Sequence, residues 1–177
     1  MIKVIDNKDI LNIIYEYIYF TPKSKNELKN AIKIYIDDSK KGIKTYGLIN
    51  NWNVSNITDM SYLFQNCYKF NHNISNWNTS NVKNMEHMFD RAYEFNQPLN
   101  KWNTSNVINM NYMFNCAYYF NQPLDLWNTS NVKFMNYMFF EAESFNQNLL
   151  LWNVSNVEES EYIFCGALFF NINNINL

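Results

Sequence analysis

Glycine and proline are scarce, with 3 of each in 177 residues. That scarcity excludes a flexible linker, a Pro-rich spacer and a glycine-rich phosphate loop. Turns must instead be made by Asn, Ser and Asp, which tolerate left-handed backbone and close Asx-turns. Charge is also sparse: Asp, Glu, Lys and Arg make up 17% of the chain and leave a formal net charge of -2. Neither a basic patch nor a basic run is present, so no nucleic-acid partner is expected. No apolar run approaches the length that crosses a bilayer, so no membrane partner is expected. Asp6, Asp9 and Glu16 interrupt any apolar signal core near the start. The expectation from these first residues is an intracellular protein, with a place in a virion as the alternative. There are 3 cysteines, Cys67, Cys116 and Cys165, each 49 residues from the next and without a matching pair of histidines. They read as reduced structural thiols, and no metal or cofactor is expected.

What the chain has in abundance is aromatic side chains, at 18%, in a sequence that is 47% hydrophobic. Five tryptophans, Trp52, Trp77, Trp102, Trp127 and Trp152, stand 25 residues apart. Aligned on them, the unit reads W-N-[VT]-S-N-[VI]-x-x-M-x-x-[ML]-F-x-x-[AC]-x-x-F-N-x-x-[LI]-x-x. A fixed period of this size marks a stack of structural repeats. In the third unit Val107, Met110, Met113, Phe114 and Ala117 follow helical spacing, with Ser105 and Asn106 placed as N-caps. Ser155 with Glu158, or Asn156 with Glu159, makes a capping box in the fifth. The L-x-x-W-x-T portion reads as a short strand. The expected fold is therefore α/β: a leucine-rich-repeat-like solenoid of five strand–helix coils over residues 46–177. An N-terminal helical cap over residues 1–45 precedes it, the whole being one folded unit. Within the cap, residues 12–20 suggest a short helix. The box Ser24-Lys25-Asn26-Glu27 then opens a helix over residues 25–38 that presents Leu28, Ala31, Ile32, Tyr35 and Ile36 on one face.

Three polar ladders repeat with the period: Asn53/78/103/128/153, Ser55/80/105/130/155 and Asn71/96/121/146/171. Each is expected to satisfy backbone groups at a corner of the unit. The glycosylation sequons they create, such as Asn103-Thr104-Ser105, follow from that corner chemistry. Function is then sought at the variable positions. The residues just before each Trp turn from polar to apolar along the chain, ending at Leu126, Leu150 and Leu151. Tyr119, Phe134 and Phe140 add apolar groups in the same half. Phe169, Ile175 and Leu177 leave the last unit apolar where a following repeat would cover it. Those nine residues are the candidate interaction surface. A column of Tyr62, His87, Tyr112, Tyr137 and Tyr162 is a second one. His72 and His87 belong to no triad or metal set, so no catalytic residue is nominated.

The phrase W-N-V-S-N-I-T-D-M-S-Y-L-F from Trp52, with F-N-Q-P-L from Phe95, resembles the BspA-type leucine-rich-repeat family. The resemblance spans residues 46–177. This chain has Asn after each Trp where that family often has Asp. The family occurs in bacterial surface lipoproteins, in protists and in large DNA viruses of amoebae, and the Asn, Ile, Lys and Tyr bias fits the viral branch. Resemblance implies a scaffold without catalytic activity that binds protein partners, with adhesion to a host in the bacterial members. The expected function is a protein-interaction or assembly module of unknown partner, self-associating through its C-terminal repeats. The alternative is a surface or virion protein that attaches to a host.

Overall fold

A computed structural model describes residues 20–176. The short helix expected over residues 12–20 and the candidate Leu177 fall outside them, Phe20 excepted. Of the expected cap, the helix opened by the box at Ser24 forms. Helix α1 (Lys25–Asp37) starts where Ser24 accepts from the Glu27 N–H, and the Glu27 carboxylate reaches back to the Lys23 N–H. It buries Leu28, Ala31, Ile32 and Tyr35. The spacing did not announce helix α2 (Ser39–Tyr46), capped by the Asp38 carboxylate on the Lys41 N–H. Gly42 lets α2 lie on α1, since a Cβ there would sit 2.6 Å from the Tyr35 Cα. A 3-10 turn, Ile49–Asn51, leads to Trp52.

From there the expected strand–helix solenoid is not what forms. Among the described residues the repeats contain no α-helix and no strand. Each is a run of turns with one isolated parallel bridge to its neighbour: Asp59 to Asn84, Asn84 to Asn109, Asn109 to Phe134 and Phe134 to Glu159. The 25-residue unit therefore makes one turn-built tier, and the tiers stack in register.

The reason lies in two positions per tier. Tyr62, His87, Tyr112, Tyr137 and Tyr162 have φ between 51° and 63°. Four residues on, Asn66, Arg91, Cys116 and Glu141 are again left-handed, and Gly166 takes the place in the last tier. A left-handed residue ends a right-handed helix within one turn. The i, i+3 spacing that resembled a helix comes instead from consecutive three-residue corners. Met88 N–H donates to the Met85 carbonyl, Ala92 to Phe89, and Phe95 to Ala92. Alternate N–H groups leave the tier altogether. Met85, His87, Phe89 and Arg91 donate to Asn109, Asn111, Met113 and Asn115 of the next. Helix hydrogen bonds close within one element; these tie two tiers together.

The expected strand is likewise a corner, in which the Trp102 N–H donates to the Leu99 carbonyl at 2.9 Å. Ser105 caps no helix. Its own N–H is held by the Asn103 side chain in an Asx-turn, and the same bond recurs at Asn53, Asn78, Asn128 and Asn153. Nor does Glu158 close a capping box, since its carboxylate pairs with Lys133.

Stacking supplies the core. Phe64, Phe89, Phe114, Phe139 and Phe164 run in one column with ring centroids 5.3 to 5.5 Å apart. A second phenylalanine column, from Phe70 to Phe170, leans on it in every tier. Each indole from Trp77 onward donates to a carbonyl 28 residues back, at 2.8 to 3.2 Å. Trp52 begins the column, and its Nε1 has no acceptor among the described residues; its ring packs on Phe20, Tyr35 and Tyr46. One hydrophobic cluster runs from Leu28 of α1 to Ile175.

Candidate interaction surface

The corner chemistry leaves the variable positions outside. Five of the nine nominated side chains are exposed: Tyr119, Leu126, Leu150, Leu151 and Phe169, with Leu151 at 75% and Phe169 at 68%. They fall into two groups. Leu126 and Leu151 hold the same place in adjacent tiers, so with Leu150 they form one ridge just before the tryptophan column. Tyr119 and Phe169 share another column but are separated by Ser144 of the tier between. Phe134 and Phe140 are half-buried: Phe134 carries a bridge between tiers, and Phe140 leans on Tyr137 with centroids 5.5 Å apart. Ile175 is only 7% exposed. The 3-10 turn Ile172–Asn174 folds it inward, and the Leu149 N–H donates to the Asn174 carbonyl. Part of the last tier is therefore covered by its own tail.

Two exposed apolar residues beside Phe169 complete this second group: Leu168 and Ile172. Leu168 was not nominated from sequence, although a signal existed. The preceding tiers carry Tyr68, Tyr93, Tyr118 and Glu143 at its position, and His72 and glutamines at the position of Ile172. Only the fifth tier is aliphatic at both.

The backbone of that tier is also distinctive. Inner tiers send four alternate N–H groups to the next tier; the corresponding groups of Ser160, Tyr162, Phe164 and Gly166 have no acceptor among the described residues. The fifth tier thus ends in a row of donors. Its surroundings are acidic: no Lys, Arg or His follows Lys133, while Glu141, Glu143, Glu158, Glu159 and Glu161 do.

At the other end a groove of about 600 Å³ runs between α1 and the first tier. Its floor is Ile32, Leu63 and Phe70, and Lys29, Lys33 and Lys69 stand among its lining residues. Sequence patterning gave no sign of it, because it exists only through the docking of α1. That docking is fixed by Lys25, whose ammonium reaches the Asp59 carboxylate at 2.9 Å and the Ser61 hydroxyl.

The aromatic column is a stack rather than a row of free rings. Tyr62, His87, Tyr112, Tyr137 and Tyr162 lie 4.4 to 5.1 Å apart, nearly parallel. Beside it Asp90 is 4% exposed and accepts from Gln65 and Asn115, with His87 Nδ1 at 2.8 Å. Asp90 thereby joins three tiers. The Cys67 thiol is pushed up to about 11 by burial. Cys116 is raised to about 11 by burial and by the Glu141 carboxylate that accepts from it. Both thiols are protonated at neutral pH and so are poor nucleophiles. No group of three or more metal-ligating side chains occurs among the described residues. No helix among them is long and apolar enough to cross a membrane.

No curated protein and no solved structure matches the chain. A family profile described as "Mycoplasma protein of unknown function, DUF285" matches twice, over residues 38–128 and 98–177. The two matches overlap and together span the second cap helix and all five tiers. The chain belongs to the DUF285 family.

Proposed function

We propose that this protein is a non-enzymatic interaction or assembly module that binds protein through its C-terminal tiers, a second copy of itself included. The observation that carries the reading is the exposure of two apolar groups on one half of the stack, Leu126 with Leu150 and Leu151, and Leu168 with Phe169 and Ile172. Apolar groups gathered in this way lower their free energy by leaving water, at about 25 cal/mol per Å². The raised thiols and the structural engagement of Asp90 with His87 support a reading without catalysis, cofactor or metal. Sparse basic charge supports one without nucleic acid or membrane.

Sedimentation velocity of the wild type, Leu151→Asp and Phe169→Asp over a hundredfold concentration range tests the proposal. Oligomers should grow with concentration in the wild type and be lost in both variants. A wild type that stays monomeric at the highest concentration removes the self-association.

The finer resemblance to BspA-type repeats, and to their viral branch, supports the second reading of a virion or surface attachment protein. Mass spectrometry of purified particles, or of a cell-surface fraction, tests it; enrichment there favours attachment over an intracellular role.

A further inference from the structure

We propose that the second copy docks head to tail: the acidic apolar edge of the fifth tier enters the lysine-rimmed groove beside α1 of the next molecule. This deepens the reading above and rests on it. Three observations carry it. The first is hydrogen-bond polarity. The N–H groups of Ser160, Tyr162, Phe164 and Gly166 on the fifth tier have no acceptor among the described residues. A two-fold contact would bring two such rows face to face and leave every donor without an acceptor. A heterologous contact sets that row against a different surface.

The second observation is place. Leu168, Phe169 and Ile172 hold the same positions in the fifth tier that Tyr68, Lys69 and His72 hold in the first. Those three residues line the groove. A copy stacked along the tier axis therefore carries its exposed apolar side chains to the opening that α1 leaves over the first tier. The third is charge. Glu143 lies directly beneath Leu168 and Phe169, and its carbonyl accepts from the Phe169 N–H. Glu141 lies under Gly166. The groove opposes them with Lys29, Lys33 and Lys69 against the single carboxylate of Asp37. Apolar insertion with complementary charge at the rim is how specific protein contacts are built. Because the two surfaces differ, the contact does not close on itself, and the product is an open chain.

The test uses two variants of the 177-residue chain. Lys29→Glu with Lys33→Glu disables the groove, both residues being exposed on α1 and outside its buried face. Phe169→Asp disables the edge. Circular dichroism and thermal melting verify that each remains folded. In sedimentation velocity the wild type should grow past dimer without a plateau, and should shrink as salt is raised from 0.05 to 0.5 M in keeping with screening. Each variant alone should be monomeric. Mixed, they should form a heterodimer that grows no further, since one intact groove and one intact edge remain. A wild-type plateau at dimer, lost in Phe169→Asp but not in the lysine variant, overturns the head-to-tail contact and leaves the C-terminal interaction surface standing. A monomeric mixture beside a growing wild type overturns the groove as receptor, and a monomeric wild type overturns the contact together with the self-association it rests on.

Discussion

At the scale of single residues, the fold depends on positions that tolerate left-handed backbone. Arg91 is exposed with φ 57°, and its N–H donates to the Asn115 carbonyl. A non-glycine residue pays about 1–2 kcal/mol there, more than the roughly 0.5–1 kcal/mol of extra chain entropy that glycine loses on folding. Arg91→Gly should therefore raise stability by about 0.5 kcal/mol. A helical reading of the same segment predicts a loss of about 1 kcal/mol. Lys83→Gly, at an exposed position of ordinary φ, should lose about 0.5–1 kcal/mol. Urea unfolding of the three proteins decides by sign alone. The two asparagine ladders were legible at this scale, because a side chain needed in every repeat serves the repeated backbone; the serine ladder was not, since among the described residues its hydroxyls bond no backbone group and Ser55 donates to the Asn53 side chain instead. Left-handed φ was not legible, since Tyr, His, Arg, Cys and Glu carry no local signature of it.

At the scale of one tier, the asparagine ladder from Asn71 to Asn146 acts on the tier after its own. Asn121 Oδ1 accepts from the Asn146 N–H at 3.0 Å and from Gln147 Nε2 at 2.7 Å. Asn121→Ala removes the acceptor of the exposed Asn146 N–H and one of the two that hold Gln147 Nε2, the Asn121 carbonyl being the other, and should cost about 0.5–1.5 kcal/mol. Asn121→Asp keeps an oxygen in place and should retain most of that stability. Unchanged urea m-values in both variants would show that the loss belongs to the folded state. The tier also shows why periodicity misled. Met110, Met113, Phe114 and Ala117 do line one buried face, as the spacing implies. Three-residue corners and a helix place side chains at the same intervals, so burial was readable while the element type was not. Helix α1 was readable because capping box, periodicity and buried face agree. Helix α2, with Gly42 and only one buried residue, had no such agreement.

At the scale of the whole molecule, stability accumulates tier by tier through nearest-neighbour contacts. The two ends therefore differ from the middle, and from each other. The first tier is closed by α1 and α2, with Lys25 bonded to Asp59. The fifth retains N–H donors without an acceptor among the described residues, exposed apolar groups, and Glu159 and Glu161 beside the Glu158 that pairs with Lys133. Most of the candidate surface could be found by asking where the repeat departs from itself. Ile175 was misplaced because the turn at Ile172–Asn174 tucks it inward, a movement that spacing does not encode. The groove escaped because no repeat position contains it.

The central claim is that the molecule engages protein at the edges of its stack, and backbone hydrogen exchange reads those edges directly. Exchange should be followed residue by residue at low and at high protein concentration. Slowing at high concentration is expected for the N–H groups of Ser160, Tyr162, Phe164 and Gly166 and for the groove side of α1, with inner-tier amides such as Tyr112 protected at both. Equal exchange of the fifth-tier amides at the two concentrations, in a sample that has demonstrably associated, would contradict the account.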